Sequence, residues 1–193
     1  MAINLEKGGR ANLTLPKFVI GLGWDANSSS TGQGFDLDAS VFILGENKKC
    51  LSDEYFVFYN NLKSPDGAVE HTGDNLTGDG DGDDESIIVD LSKINPNATE
   101  IIVVVTIHKA DERRQNFGQV RNSFARIYEP DQTTDIPNMK CKEELLKYEL
   151  EEDFSVETAV EFGRIYKRNG EWKFEAVGVG QKGGLEVYLN KYN

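Results

Sequence analysis

The sequence predicts an all-β fold, two packed sheets forming a β-sandwich with one or two short helices, in a single domain over residues 1–193. Three observations predict it. Short runs rich in Val, Ile, Phe and Tyr recur along the chain, separated by clusters of Gly, Pro, Asn and Asp. Some runs are apolar on both faces while others alternate, the two patterns that central and half-exposed strands of packed sheets produce. Helical periodicity is thin, and neither a repeat of fixed period nor a Pro-rich or Ser-rich linker divides the chain.

In chain order, the runs are "FVIGLGW" from Phe18, "FDLDASVFIL" from Phe35, "EYFVFYN" from Glu54, "SIIVDL" from Ser86 and "IIVVVTIH" from Ile101. They continue with "FARIY" from Phe124, "LKYEL" from Leu146, "FGRIYKR" from Phe162, "EWKFEAVGVG" from Glu171 and "LEVYLNKY" from Leu185. "IIVVVTIH" reads as a central strand covered on both sides. "EWKFEAV" alternates like a half-exposed one. Asn169-Gly170 is placed for a type I′ hairpin turn. The glycines of "GLGW" read as a strand bulge or bend. For helices, "SVETAVEFG" from Ser155 offers an N-cap and a turn or two, and "NMKCKEELLKY" from Asn138 offers a short segment before a strand.

The formal net charge is −12. Nucleic acid and anionic lipid reward clusters of Lys and Arg that this chain lacks, so neither is an expected partner, and cations or basic partners are. The first residues carry no apolar signal-peptide region, and no window approaches a membrane span. Together with only two cysteines, Cys50 and Cys141, this predicts a cytoplasmic protein with reduced thiols and no direct membrane insertion.

The charge is concentrated. Between Ser64 and Ser92 there is no Lys or Arg, but nine carboxylates: Asp66, Glu70, Asp74, Asp79, Asp81, Asp83, Asp84, Glu85 and Asp90. Two carboxylates about 4 Å apart repel by about 1 kcal/mol in water and several-fold more near a protein surface, so this glycine-threaded segment needs positive charge from outside itself. Ca²⁺ suits it best: the ion takes about 6 to 8 oxygen ligands in flexible geometry, whereas Mg²⁺ demands a strict octahedron and Zn²⁺ prefers Cys and His. A solvated acidic turn is the alternative.

The segment is not an EF-hand. A loop begun at Asp79 puts Asp84 where glycine is required, and one begun at Asp74 puts Leu76 and Gly78 where acids belong. The ion site is therefore a loop site on a β scaffold. In "FDLDASVFIL" the alternation puts Asp36 and Asp38 on one face, about 6.7 Å apart along a strand, able to share a cation. Asp25 after "GLGW" is a third candidate, with a simple turn residue as its alternative.

These strings, "LEKGGRANLTL", "VIGLGWDA", "GFDLDAS", "DEYFVFYNNLKSPDGAVEHTGDNLTGDGDGDDESI", "VVVTIHKADERRQNFGQVRNSFARI" and "LEEDFSVETAVEFGRIYKRNGEWKFEAVGVG", together resemble the TerD family of bacterial tellurite-resistance and stress proteins along nearly the whole chain. The resemblance implies a β-sandwich that binds Ca²⁺ in acidic loops at one end. It also implies a place in a stress system linked to tellurite, phage and colicin resistance. Such proteins are thought to act with other tellurite-resistance proteins, including a TerC-type membrane partner able to recruit them to the inner face of the membrane. Carried over by residue, it implies metal ligands at Asp25, Asp36, Asp38, Asp74, Asn75, Asp79, Asp83, Asp84 and Glu85, with backbone carbonyls from Leu76 and Gly78. The stretch "YEPDQTTDIPNMKCKEELLKYEL" is a longer connection than the family pattern leads one to expect.

Enzyme motifs are missing. "GLGWD" lacks the third glycine of a dinucleotide fingerprint, and no phosphate-binding loop or nucleophile elbow occurs. His71 and His108 have no nucleophile at motif spacing, and His108, closing a core strand, reads as a structural histidine. Cys50 and Cys141 form no C-x-x-C pair that would favour thiol chemistry. A non-enzymatic Ca²⁺-binding protein is the expectation. A metal-dependent hydrolase using the clustered acids, and an interaction module with a purely structural Ca²⁺, are its alternatives.

Overall fold

The computed structural model describes residues 3–4, 6–25, 34–73, 83–131, 140–149 and 156–193. Within them the chain forms two six-stranded sheets. The first runs β1 (Ile3–Asn4), β10 (Cys141–Glu149), β9 (Phe124–Pro130), β3 (Lys17–Gly23), β7 (Glu85–Asp90), β6 (Val69–His71). The second runs β2 (Arg10–Asn12), β12 (Glu171–Gln181), β11 (Ala159–Arg168), β8 (Glu100–Ile107), β4 (Leu37–Leu44), β5 (Phe56–Val57). Every pairing is antiparallel except that of β1 with β10.

Alternation dictates what lies between the sheets. Phe18, Ile20 and Leu22 of β3 join Leu37, Ala39, Val41 and Ile43 of β4 and Ile101, Val103 and Val105 of β8 in one core. The outer face of the second sheet is also covered. Phe42, Leu44, Phe56, Ile102, Val104 and Ala159 pack under Tyr188 and Tyr192 of α2 (Gly184–Tyr192). Phe42 stacks on Phe56 at 4.4 Å between ring centroids and meets Tyr192 at 5.2 Å, pairs that add about 0.5–1.5 kcal/mol beyond area burial. The helix is also pinned by the buried Glu161 carboxylate, which accepts from Lys191 Nζ and Tyr192 OH, both at 2.8 Å. So β8 is buried on both faces, as "IIVVVTIH" predicted.

Several local expectations are corrected. "LEVYLNKY" is helix α2 rather than a strand. Its Leu185, Tyr188, Leu189 and Tyr192 fall on one helical face that the outer cluster covers, and this packing overrides the strand-like alternation of Leu185, Val187 and Leu189. "SVETAVEFG" does not start a helix: from Ala159 it is β11, because Val160 and Phe162 are needed between the sheets while Ala159 lies under α2. "NMKCKEELLKY" is strand β10 from Cys141, with Leu146 and Tyr148 alternately buried. "EYFVFYN" is a 3₁₀ turn, Asp53–Tyr55, and the two-residue β5. The short helix that does occur, α1 (Ala110–Arg113), and strands β1, β2 and β6 had no sequence signal strong enough to find them. The Asn169-Gly170 turn is as expected, with φ of 54° and 84° and Arg168 paired to Glu171.

Across the outer face of the second sheet runs a ladder of charges. Arg10 donates to Glu175 at 3.0 Å, Arg164 to Glu175 at 2.5 Å and to Glu100 at 3.3 Å, and Lys48 to Glu100 at 2.6 Å. Burial pushes the Glu175 carboxyl up, but Arg164 and Arg10 outweigh it and hold the group below its ordinary 4.5. A depressed carboxyl stabilises the fold above its unfolded pKa and loses that contribution as pH falls through its folded one. Glu175→Gln is therefore expected to be less stable than the parent at neutral pH and to converge on it below pH 4.5, as followed by thermal melts across acid pH. Phe42→Ala is expected to cost about 3–5 kcal/mol by urea unfolding, and Tyr192→Phe, which removes the bond to Glu161, about 1.5–3 kcal/mol.

Candidate metal centre

The sandwich has an acidic end. The outgoing end of β3, the incoming ends of β4 and β7 and the outgoing end of β8 all lie there, which gathers Asp25, Asp36, Asp38, Asp83, Asp84 and Glu85 on one pole. The remaining candidates, Asp74, Asn75, Leu76, Gly78 and Asp79, lie outside the described residues.

The three consecutive acids before and within β7 diverge. Glu85, opposite Leu22 in the pairing with β3, turns inward and is 1% exposed. Its Oε2 accepts the Ala39 backbone N–H at 2.7 Å. β4 has β5 beside it only at Val41 and Phe42, so Ala39 lies on an open stretch of edge whose amide needs an acceptor. Glu85 thus ties the first sheet to the second. Asp84 turns to the pole and accepts the Trp24 N–H at 2.9 Å, while Trp24 Nε1 donates to the Phe35 carbonyl at 3.1 Å. Asp83 goes to the outer face of the first sheet, where Arg126 Nε donates to its Oδ1 at 2.8 Å. Burial lowers the Arg126 pKa, but the hydrogen bond and charge of Asp83 more than reverse this, so the guanidinium is held firmly protonated.

Asp36 and Asp38 share a face, as their spacing predicted, but that face is not open: both are 4% exposed. Asp36 Oδ2 accepts from Arg113 Nη1 of α1 at 3.4 Å, and its carbonyl accepts the His108 N–H at 2.8 Å. Asp38 Oδ2 lies 3.6 Å from His108 Nδ1, at a cleft of about 290 Å³ between Tyr59, Thr158 and the start of α2. Asp25 is exposed and accepts from Asn122 Nδ2 at 2.5 Å. A second histidine sits inside the pole. His71 Nδ1 accepts the Gly73 N–H at 3.1 Å, which leaves Nε2 as the donor of the neutral ring. Nε2 faces Glu85 Oε2 at 3.5 Å, too far to complete a hydrogen bond.

Two expectations change. The acidic segment is not without protein cations, since Arg126 reaches Asp83 from a distant part of the chain and the flanking Lys63 and Lys93 pair with Glu70 and Asp90. Nor is Gly21 of "GLGW" a bulge: it pairs regularly with Ser86 and Arg126, and a Cβ there would run into the Asp83 carboxylate. Arg113, Arg126, Trp24 and Asn122 were not foreseen. A single arginine between the buried Ala125 and Ile127 of "FARIY" looks like ordinary strand alternation, and nothing local connects it to residue 83.

Among the described residues no three His, Cys, Asp or Glu side chains form a metal-holding group. Asp36 and Asp38 lie on the outer side of the second sheet, Asp83 on that of the first, and Glu85 between them. The donor chemistry nevertheless fits a hard cation: Asp36, Asp38, Asp84 and Glu85 offer carboxylate oxygens at the strand ends, beside the imidazoles of His71 and His108. Thiols are not recruited. Cys50 pairs with Leu44 at the far end of β4, and burial pushes its thiol up to about 11; Cys141 is exposed, and burial also raises it. Both shifts oppose the thiolate that redox or soft-metal chemistry requires.

Fold and site together define a two-sheet, mainly antiparallel sandwich whose strand ends carry buried carboxylates at one pole. The chain belongs to the TerD family: the TerD domain matches residues 1–192. It is 50% identical over 197 residues to general stress protein 16U of Bacillus subtilis (strain 168), covering all of this chain and 97% of the relative. It is 49% identical over 197 residues to tellurium resistance protein TerD of Serratia marcescens, again covering all of this chain and 97% of the relative. The fold matches the crystal structure of a homologue of telluride resistance protein (TerD) from Streptomyces coelicolor A3(2), with a TM-score of 0.72, 22% identity and coverage of 89% of this chain and 94% of that one.

Glu85 offers a direct test of the inter-sheet tie. In chelator-treated protein Glu85→Ala is expected to cost about 1–3 kcal/mol, the penalty of leaving the Ala39 amide without its acceptor. Glu85→Gln, which keeps an acceptor oxygen, is expected to lose clearly less. Urea unfolding of the two variants side by side checks the order.

Proposed function

We propose that this chain is a non-enzymatic stress-resistance protein that binds Ca²⁺ at its acidic pole and acts through a protein partner. The observation that carries the reading is the burial of Asp36, Asp38 and Glu85 at one end of the sandwich, beside Asp25 and Asp84. Buried carboxylates are costly unless positive charge or hydrogen bonds compensate them. The names of its relatives, a general stress protein and a tellurium resistance protein, support the biological half of the reading.

Asp25, Asp36, Asp38, Asp84 and Glu85 would hold the ion together with Asp83 and the acids, amide and carbonyls of residues 74–79. A bound Ca²⁺ supplies two positive charges where the chain's own negative charge is densest. The protein's part is to fix the oxygen donors on strand ends: Trp24 N–H orients Asp84, Ala39 N–H orients Glu85, and Arg113 and His108 flank Asp36 and Asp38. Ion occupancy then stabilises the folded pole by mass action and sets the surface a partner meets. The partner envisaged is another tellurite-resistance protein, including one of the TerC membrane type, met from the cytoplasmic side. Among the described residues no helix is long and apolar enough to cross a membrane.

Calorimetric titration of Ca²⁺ and Mg²⁺ into chelator-stripped protein tests the proposal. The expected result is Ca²⁺ binding in preference to Mg²⁺, lost or weakened at least about tenfold in Asp36→Asn/Asp38→Asn. A Kd near 10⁻⁷ to 10⁻⁵ M marks a sensor, and a much tighter one a permanently filled structural ion. No Ca²⁺ uptake by the parent protein would reject the reading.

A further inference from the structure

We propose that Arg126 is an internal counter-ion competing with the bound cation for Asp83, and that the missing side chain at Gly21 makes room for this competing state. The inference rests on the reading of the acidic pole as a Ca²⁺ site and names what sets its affinity.

Asp83 is the one described acid of the "GDGDGDDE" segment that turns away from the pole. Its carboxylate lies over Gly21 on the outer face of the first sheet, 7% exposed, with Arg126 Nε 2.8 Å away. That geometry is a tight charge-assisted hydrogen bond. Asp83 immediately precedes Asp84, whose side chain is held at the pole by Trp24, so an Asp83 released from Arg126 is next in the chain to a carboxylate already there. In the Arg126-bound arrangement the pole has one carboxylate fewer, and that weakens Ca²⁺ binding.

The exchange does not strand the arginine. Arg126 Nη1 also donates to Glu144 Oε2 at 3.1 Å, and its guanidinium carbon lies 5.0 Å from the Tyr128 ring centroid and 5.8 Å from that of Phe124. With Asp83 gone it keeps one carboxylate and two ring faces, so neither arrangement leaves a buried charge alone. Gly21 is the steric half of the device. It pairs regularly in β3, where alanine is conformationally acceptable, yet a Cβ would occupy the space of the Asp83 carboxylate.

The test uses the full chain, stripped with chelator, titrated with CaCl₂ by calorimetry and melted with and without it. Arg126→Gln removes the competing charge, and Gly21→Ala evicts Asp83 while leaving every charged group in place. Both are expected to bind Ca²⁺ about five- to tenfold more tightly than the parent. The ion-free Tm is expected to fall in both, and the rise in Tm on adding Ca²⁺ to be larger than in the parent. Should Arg126→Gln fail to fold, Gly21→Ala alone decides. Parent-like or weaker Ca²⁺ binding in the variants, with the parent binding normally, overturns the competition and leaves the Ca²⁺ site standing. A parent that takes up no Ca²⁺ overturns both.

Discussion

The carboxylate of Glu85 crossing from one sheet to the amide of Ala39 in the other is the contact on which the acidic pole depends. Apolar contact between two sheets packed face to face fixes their separation but not the alignment of their ends. A directional bond at the mouth of the sandwich fixes that alignment. It also brings a carboxyl group into a nearly closed space, because the acceptor that completes the β4 edge is the 1% exposed Glu85 side chain. The rest of the pole gathers around that group. His71 faces it at 3.5 Å, Asp84 is anchored next door by Trp24, and two further acids enter β4 two residues apart.

Among the described residues, partners for the acids at this end come from two parts of the chain: His108 and Arg113 from the end of β8 and the adjoining α1, and Arg126 from β9. Their distances are graded. Arg126 meets Asp83 at hydrogen-bond length, whereas Arg113 and His108 stand 3.4 and 3.6 Å from their acids. Asp83 is held on the outer face of the first sheet, and Asp36 and Asp38 lie on the outer side of the second. The far side of the second sheet uses the same chemistry for a different end: Glu175, Glu100 and Glu161 are matched by arginines, lysines and a tyrosine, and the result is a ladder and a docked helix with its charges paired within the fold.

Much of this was legible in the sequence, for reasons that lie in the residues. "IIVVVTIH" carries no polar side chain that would tolerate water until its end, so it had to be central, and α2 supplies its second cover. Asn169-Gly170 determines its own turn through two positive φ angles. "FDLDAS" placed Asp36 and Asp38 on one face because strand alternation allows nothing else. What failed did so where two periods fit equally. Leu185, Val187 and Leu189 alternate, while Leu185, Tyr188, Leu189 and Tyr192 make a helical stripe, and only the aromatic surface of Phe42 and Phe56 selects the second. The site followed the same rule. Which acids are present was readable from composition, but their directions were not, since the divergence of Asp83, Asp84 and Glu85 depends on Arg126, Trp24 and Ala39, which lie between 43 and 60 residues away.

Whether a cation joins this pole is read by amide hydrogen exchange at the two backbone donors that orient its carboxylates, Trp24 and Ala39. If Ca²⁺ engages Asp84 and Glu85, opening the Trp24 and Ala39 amides must first release the ion, and their protection rises with free Ca²⁺. Such a rise is expected at Trp24 and Ala39, with the amides of the Asn169-Gly170 hairpin at the opposite end unaffected. Exchange at Trp24 and Ala39 that is indifferent to Ca²⁺ would contradict it.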